Sequence, residues 1–213
     1  ELPLGADKKV ALPAETRSIF PMDTSVRLGK LENGMTYYLK NHKDTENSIE
    51  WRLIVKTGSL MGEDNQRGMA HFIEHMAFNG TVSFANNELV TFLESSGLDF
   101  GRDFGAFTGW EETIYFLKTN SNDLYLNETI FLILKDWMTG IDFDSIEVEK
   151  EKGVILAELL ERNDVMGRIF ENEMKAAFKD TRYSERFPVG NKEQLEAINV
   201  SGLEKFYREW YRP

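Results

Sequence analysis

Residues 67–81 read Arg-Gly-Met-Ala-His-Phe-Ile-Glu-His-Met-Ala-Phe-Asn-Gly-Thr, and this stretch contains two of the three histidines in the chain. His71 and His75 lie four residues apart, and Glu74 stands directly before the second of them. On a helix, side chains at this spacing lie on one face, with Cβ atoms about 5–6 Å apart. Two imidazoles so placed can bind one zinc ion, with a glutamate within reach of its water. The stretch therefore predicts a helix at about 68–78 that carries a metal site.

The residues around this motif argue against the plainest alternative, a surface helix with incidental histidines. They are nearly all apolar or small, namely Gly68, Met69, Ala70, Phe72, Ile73, Met76, Ala77 and Phe78. Such a helix is expected to be buried. The chain has no cysteine, so a thiolate site and disulfides are excluded. The metal must then be held by histidine and carboxylate, with a third ligand from elsewhere in the chain.

Length and composition are those of an ordinary soluble globular chain. With 213 residues, 41% of them hydrophobic and 29% charged, it can form one large domain or two small ones. The net charge of −11 disfavours a nucleic-acid partner, because no basic patch stands out. No segment approaches the roughly 18–20 apolar residues needed to cross a membrane. The chain begins at Glu1 without a methionine or a signal peptide, which indicates a processed protein or a piece of a longer one.

The order of apolar periods along the chain predicts the fold class. Residues 1–25, with three of the five prolines, are predicted to form an extended lead-in, and residues 26–213 to form one zinc-bearing domain. Strands are predicted at 26–30, 35–40, 48–57, 98–108 and 113–119. Helices are predicted at 68–78, 86–95, 122–138, 144–162, 165–179 and 201–211. This order indicates an α+β domain, in which helices cover one face of a largely antiparallel sheet.

The third metal ligand is expected on the acidic helix predicted at 144–162. Glu151 and Glu158 are seven residues apart and so share a face of that helix. The helix is expected to dock on the core through Val154, Ile155 and Leu159. Glu158 stands among these apolar residues, where an unpaired carboxylate would be costly, and a metal is one partner that removes the cost. The residues alone favour Glu158 and leave Glu151 open as the ligand.

Together these patterns resemble one known family. The inverted motif His-x-x-Glu-His, followed by a helix with Glu-x6-Glu, resembles the zinc peptidases of the pitrilysin and insulin-degrading-enzyme family, the M16 peptidases. The stretches that carry the resemblance are 31–35, 67–81, 111–115, 154–158 and 206–213. The sequence is most similar to the bacterial exported, PqqL-like branch, and the resemblance covers the chain from about Arg27 to its end.

The resemblance implies an α+β fold of the LuxS/MPP-like kind and a zinc-dependent endopeptidase. It implies that His71, His75 and Glu158 bind one zinc ion per domain. Glu74 corresponds to the general base that acts on a zinc-activated water. Glu151 matches a second acidic residue, which is expected to support the site by orienting an imidazole. The substrate is expected to be a peptide or a small protein.

The resemblance also implies that the substrate binds as an added β-strand next to the zinc. The matching stretch is 103–108, and the substrate-binding residues that it offers are Gly105, Ala106, Phe107 and Thr108. The family usually has Asn-Ala-x-Thr at this place, so Gly105 stands where the asparagine would be and removes an amide from the cleft. A kink or bulge in the strand is an equally good interpretation of this glycine.

Family members close two homologous halves around a chamber, and this has consequences for the chain. Its partners are expected to be the missing C-terminal domain or domains, in cis or as a partner subunit. Alone, the chain is expected to hydrolyse peptides poorly or not at all. Export to the periplasm of a Gram-negative bacterium follows from the resemblance. Two alternatives stay open: a non-catalytic M16-like structural or peptide-binding subunit, and a non-peptidase zinc hydrolase on the same motif.

Overall fold

The structure is a computed structural model, and it describes residues 23–42 and 47–212. The predicted extended lead-in at 1–25 therefore lies outside the described residues except for its last three positions. The described residues form two compact units, one within residues 23–42 and the other within residues 47–212. None of the helices in the described part has both the length and the apolar character needed to cross a bilayer.

The first unit contains an antiparallel hairpin formed by β1 (Val26–Lys30) and β2 (Thr36–Lys40). In the turn between them Gly34 has a φ of +99°, a backbone conformation that glycine adopts without a steric penalty. The side chain of Asn33 accepts a hydrogen bond from the amide of Met35 at 3.1 Å. The structure confirms the predicted hairpin and its Asn-Gly turn.

The second unit is built on a three-stranded antiparallel sheet with the strand order β3-β5-β4. Its strands are β3 (Ser48–Val55), β4 (Phe104–Thr108) and β5 (Thr113–Asn120). Every second side chain of β5 points to the core, so the buried residues are Thr113, Tyr115, Leu117 and Thr119. The opposite face of the sheet is open, because Ile54 and Phe107 expose 58% and 51% of their surface.

The strand β4 is shorter than predicted, because it begins at Phe104 and not at residue 98. The residues before it form a turn, in which the amide of Asp103 donates to the carbonyl of Asp99 at 2.8 Å. Gly101 in this turn has a φ of +80°, which lies outside the range of strand residues. The predicted start of the strand is therefore wrong.

The described residues of the second unit contain seven α-helices. They are α1 (Met69–Asn79), α2 (Glu88–Ser95), α3 (Leu124–Thr139), α4 (Ser145–Arg162), α5 (Val165–Ala177), α6 (Lys192–Ala197) and α7 (Val200–Trp210). The sequence pattern does not predict α6, because six residues are too few to show a helical period. Five helices begin after an acidic or amide side chain that accepts a backbone N–H, namely Asp123, Asp144, Asp164, Asn191 and Asn199. These caps explain where the helices start.

The core lies around α1, most of whose residues are buried. Tyr115 of β5 stacks on Trp137 of α3, with ring centroids 4.8 Å apart. The indole N–H of Trp137 donates to the carbonyl of Ala77 in α1 at 2.9 Å. The helices α4 and α7 also contact α1. The structure confirms the predicted α+β class, with helices on one face of an antiparallel sheet.

Candidate metal centre

The helix α1 brings the two motif histidines together on adjacent turns. The ring centroids of His71 and His75 are 4.6 Å apart, and their Nε2 atoms are 3.3 Å apart. His71 is buried, whereas His75 is partly exposed. Each imidazole therefore contributes one nitrogen to a shared position that remains accessible from one side.

The helix α4 supplies a third atom at this position. Oε2 of Glu158 lies 3.6 Å from Nε2 of His71 and 3.5 Å from Nε2 of His75. The three atoms form a nearly equilateral triangle, since the two nitrogens are 3.3 Å apart. Among residues 23–42 and 47–212, these three side chains form the group of histidines and carboxylates that lie close enough together to bind one metal ion.

The dimensions of the triangle fit zinc. A tetrahedral zinc ion with nitrogen and oxygen ligands at about 2.0–2.2 Å requires ligand atoms about 3.3–3.6 Å apart. The observed separations of 3.3, 3.5 and 3.6 Å lie in this range without any rearrangement. Two imidazoles and one carboxylate are also a donor set typical of hydrolytic zinc sites, which keep a fourth position for water.

The inward face of α4 differs from the predicted apolar face. Its buried residues are Val148 and Ile155, and Glu151 and Glu158 lie on the same face and contact the histidines of α1. The prediction is wrong for Val154, which is 53% exposed. Glu158 is one-quarter exposed at its side chain, and its Oε1 accepts a hydrogen bond from Nε of Arg162 at 2.8 Å. Polar partners, and not an apolar pocket, therefore surround this carboxylate.

Glu151 lies on the other side of the His75 ring. Its Oε1 is 2.7 Å from Nδ1 of His75, and its Oε2 accepts a hydrogen bond from Nδ2 of Asn79 at 2.7 Å. Nδ1 is the nitrogen that does not belong to the triangle, so this contact orients the ring and directs Nε2 inward. Of the two carboxylates that the sequence left open, the structure places Glu158 in the triangle and Glu151 behind it.

The electrostatic environment shifts the pKa values of the two histidines in opposite directions. Burial lowers the pKa of His71 to about 4, and the neighbouring His75 acts in the same direction. Burial would also lower the pKa of His75, but hydrogen bonds with Glu151 and Glu158 outweigh it and raise this pKa to about 9. The hydrogen bond with His75 is the main cause that lowers the pKa of Glu158 to about 2. The two carboxylates thus favour a cation at this position.

Glu74 lies next to the triangle and is almost completely buried, with 8% of its surface exposed. Its Oε2 accepts a hydrogen bond from Oγ1 of Thr108 at 2.5 Å. Burial raises the pKa of Glu74, although the bond from Thr108 acts in the opposite direction. Glu74, His75, Phe78 and Phe100 line a pocket of about 190 Å³. A carboxylate with these properties beside a metal position can act as a general base.

Comparison with known families identifies the kind of protein to which this site belongs. The family model described as insulinase, peptidase family M16, matches residues 37–187, which is more than half of the chain. The chain belongs to peptidase family M16.

Several M16 proteins are similar to the chain over most of its length. The probable zinc protease PqqL of Haemophilus influenzae is 35% identical over 193 residues, which cover 91% of this chain and 21% of that protein. The crystal structure of the first half of the periplasmic protease PqqL from Escherichia coli is 33% identical with a TM-score of 0.88, covering 92% of this chain and 42% of that one. The ferredoxin protease FusC, solved in complex with Arabidopsis ferredoxin, is 29% identical with a TM-score of 0.80, and the match covers 88% and 21% of the two chains. The chain spans about a fifth of the length of the first two curated relatives.

The stretch predicted to bind substrate forms β4, which lies at an edge of the sheet. Backbone hydrogen bonds at both ends of its pairing with β5 show that alternate residues, including Gly105 and Phe107, bond to β5. The N–H and C=O groups of Ala106 and Thr108 therefore point to the free edge. The predicted substrate-binding residues therefore belong to an edge strand, which pairs with β5 on one side only.

Gly105 does not mark a bulge in β4. The register of β4 with β5 runs without interruption, and Gly105 lies directly opposite Phe116. A Cβ atom on Gly105 would lie 3.0 Å from Cζ of Phe116, so the aromatic ring covers the glycine. The register excludes the bulge, and the glycine provides the space that the ring of Phe116 occupies.

Two side chains that contact the candidate site, Asn79 and Arg162, were not predicted from the sequence, and neither was the contact of Thr108 with Glu74. Asn79 follows His75 by four residues, so helical spacing could have indicated its role. The same holds for Arg162, which follows Glu158 by four residues. Thr108 reaches α1 from a strand 34 residues further along the chain, and no local pattern signals that contact.

Proposed function

We propose that this chain is the zinc-bearing domain of an M16 metalloendopeptidase, which hydrolyses peptide bonds with one zinc ion. His71, His75 and Glu158 hold the ion. Glu74 is the general base, and Glu151 orients His75. The observation that carries the proposal is the ligand triangle, with sides of 3.3–3.6 Å, beside the buried carboxylate of Glu74.

The chemistry follows from the groups at the site. A zinc ion held by His71, His75 and Glu158 would supply Lewis-acid chemistry, which acidifies water and polarises the scissile carbonyl. Glu74 accepts the proton of the attacking water as a general base and passes it to the leaving amine as a general acid. Its pKa, which burial raises, suits both steps. Glu151 keeps Nε2 of His75 directed at the ion through its contact with Nδ1.

The substrate in this proposal is an extended peptide that binds as an additional strand along β4. The outward backbone groups of Ala106 and Thr108 pair with the main chain of the peptide. Because Thr108 contacts Glu74, a peptide on this edge lies close to the general base and the metal position. Gly105 offers no side-chain amide where the family usually has asparagine, so this substrate contact is absent.

The lengths of the relatives support a further part of the proposal. Since the chain spans about a fifth of the first curated relatives, we propose that further domains, in cis or from a partner subunit, complete the substrate chamber. The chain alone then binds zinc but hydrolyses peptides weakly. A similar protein, PqqL from Escherichia coli, is described as a periplasmic protease. By this likeness we place the present protein in the periplasm of a Gram-negative bacterium.

Metal content by elemental analysis tests the proposed ligand set. The wild-type chain is expected to bind close to one zinc ion per molecule. Glu158→Gln should lose the metal, because a neutral amide is a poor zinc ligand, whereas Glu151→Gln should keep most of it at high zinc concentration. The reverse pattern would assign the third ligand to Glu151. Absence of zinc from the wild-type chain under zinc-replete conditions would contradict the proposed site.

A further inference from the structure

Thr108 connects the proposed general base with the proposed substrate strand. Its hydroxyl donates a hydrogen bond to Oε2 of Glu74 at 2.5 Å, although the two residues lie 34 positions apart in the chain. Among residues 23–42 and 47–212, no other group forms a hydrogen bond with the Glu74 carboxylate. The terminal torsion of a glutamate side chain is broad, so this single contact decides how the carboxylate is oriented.

A second threonine lies next to the hydroxyl of Thr108. Oγ1 of Thr113 lies 3.2 Å from Oγ1 of Thr108, and it donates to the carbonyl of Thr57 at 2.9 Å. A carbonyl only accepts, so the single proton of the Thr113 hydroxyl is used there. Toward Thr108 the Oγ1 of Thr113 can then only accept, so the proton of Thr108 has two possible acceptors. Oε2 of Glu74 is the closer one, at 2.5 Å against 3.2 Å, and an ionised carboxylate is the stronger acceptor. Thr113 and Thr57 are 0% and 1% exposed, so bulk water does not compete.

We infer that Thr108 is a positioning residue that fixes the Glu74 carboxylate by Oε2 and leaves Oε1 free for the attacking water. This inference rests on the proposed function of Glu74 and adds a role for a side chain of the substrate strand. The backbone groups of Thr108 lie at the free edge of β4, where the peptide is proposed to pair. The same residue thus aligns the peptide through its backbone and orients Glu74 through its side chain. Because Thr108 is outside the ligand triangle, its loss should reduce the rate without removing the metal.

Steady-state kinetics of the full-length, zinc-loaded protein provide the first test. Thr108→Val replaces the hydroxyl by a methyl group of similar size, and it should lower kcat about 10- to 100-fold with KM and zinc content unchanged. Thr108→Ser keeps the hydroxyl and should retain most of the activity. Thr108→Ala is a second variant without the hydroxyl, and because alanine is smaller than threonine it introduces no steric clash. A kcat within about twofold of wild type in both variants without the hydroxyl would overturn the inference.

Thr119 offers a matched control on the neighbouring strand. It is also buried, and its Oγ1 accepts from Nε1 of Trp51 at 2.9 Å and donates to Oδ1 of Asn127 at 2.6 Å. Thr119→Val loses hydrogen bonds of the same kind outside the site, so it should lower the melting temperature and leave kcat unchanged. If Thr119→Val and Thr108→Val lose kcat equally, general destabilisation explains both losses and the inference is overturned.

A binding measurement on the zinc-loaded chain gives a readout without turnover. The probe is acetohydroxamate, which binds zinc through its oxygens and can donate a hydrogen bond to a neighbouring carboxylate. Calorimetry should show about 10-fold weaker binding to Thr108→Val and unchanged binding to Thr108→Ser and Thr119→Val. Equal binding to Thr108→Val and wild type would contradict the positioning role.

The variant Glu74→Gln separates failure of this inference from failure of the proposed function. If Glu74→Gln binds the probe as tightly as wild type and keeps the peptidase activity, the proposed role of Glu74 is wrong and the inference falls with it. If Glu74→Gln weakens binding and abolishes activity while Thr108→Val does neither, only the positioning role is wrong. The inference is supported when both variants weaken binding and Thr108→Ser does not.

Discussion

His75 is held at both of its ring nitrogens. Its Nε2 faces His71 and Glu158 in the triangle, and its Nδ1 contacts Glu151 at 2.7 Å. A ring fixed in this way keeps Nε2 directed at the other two atoms of the triangle, so in the proposed site the metal affinity depends on Glu151 although this residue lies outside the triangle. Helical spacing predicted which residues share this region, but it could not decide which glutamate lies on which side of the ring.

The variant Glu151→Gln is expected to weaken zinc binding about 10- to 100-fold, because the imidazole loses a charged partner that orients it. Competition with a chelator of known affinity measures this change, whereas metal content at high zinc concentration does not. Glu149→Gln is the matched control, since it lies on the same helix with a side chain that is 66% exposed. Equal zinc affinity in the two variants would contradict the orienting role of Glu151.

The variant Glu74→Gln is expected to keep the zinc and to lower the peptidase activity of the full-length protein about 10²- to 10⁴-fold. An amide cannot accept the proton of the attacking water, whereas its size and burial are nearly those of the acid. Elemental analysis and peptide cleavage are measured on the same preparation. Unchanged activity with zinc in place would favour the alternative of a non-catalytic M16-like subunit.

At the scale of elements, a side chain of α3 anchors the end of α1. Trp137 is fully buried, stacks on Tyr115 and donates its indole N–H to the carbonyl of Ala77. Ala77 lies in the turn of α1 that follows His75, so this hydrogen bond holds the end of the helix that carries the two histidines. Helices this apolar are predictable from sequence, but their anchoring partners are not.

Trp137→Ala is expected to lower the free energy of unfolding by about 3–5 kcal/mol, because it leaves a large cavity and an unpaired carbonyl in the core. Denaturant-induced unfolding measures the loss. Tyr125→Ala on the same helix is the control, since Tyr125 is 73% exposed and should change stability by no more than about 0.5 kcal/mol. A similar small change for Trp137→Ala would contradict the described anchoring of α1.

Two predictions of secondary-structure elements failed, one at the start of β4 and one at the short helix α6. The predicted strand before Phe104 does not form, because Gly101 adopts a positive φ that ends strand pairing. The helix α6 escaped detection because its six residues show no period. Longer periodic elements such as α1 and α4 were predicted within a few residues of their observed ends, since their spacing is repeated over several turns.

At the scale of the whole molecule, three tyrosines join the sheet to the C-terminal helix and make the fold sensitive to alkali. The hydroxyls of Tyr115 and Tyr211 are 2.9 Å apart, and the hydroxyl of Tyr207 donates to the carbonyl of Trp137 at 2.9 Å. Burial raises the pKa of Tyr207 to about 12 and moves the pKa of Tyr115 and of Tyr211 well above the ordinary value. The folded state therefore strongly favours their neutral forms.

The sign of the resulting pH effect follows from proton binding. Below about pH 10 these tyrosines are neutral in both states, so their contribution to stability is fully present. Above about pH 10 the unfolded chain releases these protons while the folded chain keeps them, so the free energy of unfolding falls as the pH rises towards 12. Tyrosinate absorbance and circular dichroism measure the two processes together.

The expected outcome is that the absorbance of the three buried tyrosines rises only as the helical signal is lost. Tyr211→Phe removes one of these ionisations and should reduce the absorbance change that accompanies unfolding. Ionisation of all tyrosines before any loss of helix would contradict the described burial of Tyr115 and its two partners.

The sequence by itself determined which residues belong to the site within each element. His71, Glu74 and His75 share one helix, and Glu151 and Glu158 share another, because the helical period fixes relative positions over a few turns. It also predicted the α+β class and the M16 family, and the structure and the family match confirm both.

Only the tertiary structure decided how the two helices and the strand meet. The packing of α4 on α1 places Glu158 in the triangle and Glu151 behind His75, and the packing of β4 places Thr108 on Glu74. These contacts join residues far apart in the chain, and their geometry depends on the shape of the whole core, which no local spacing encodes.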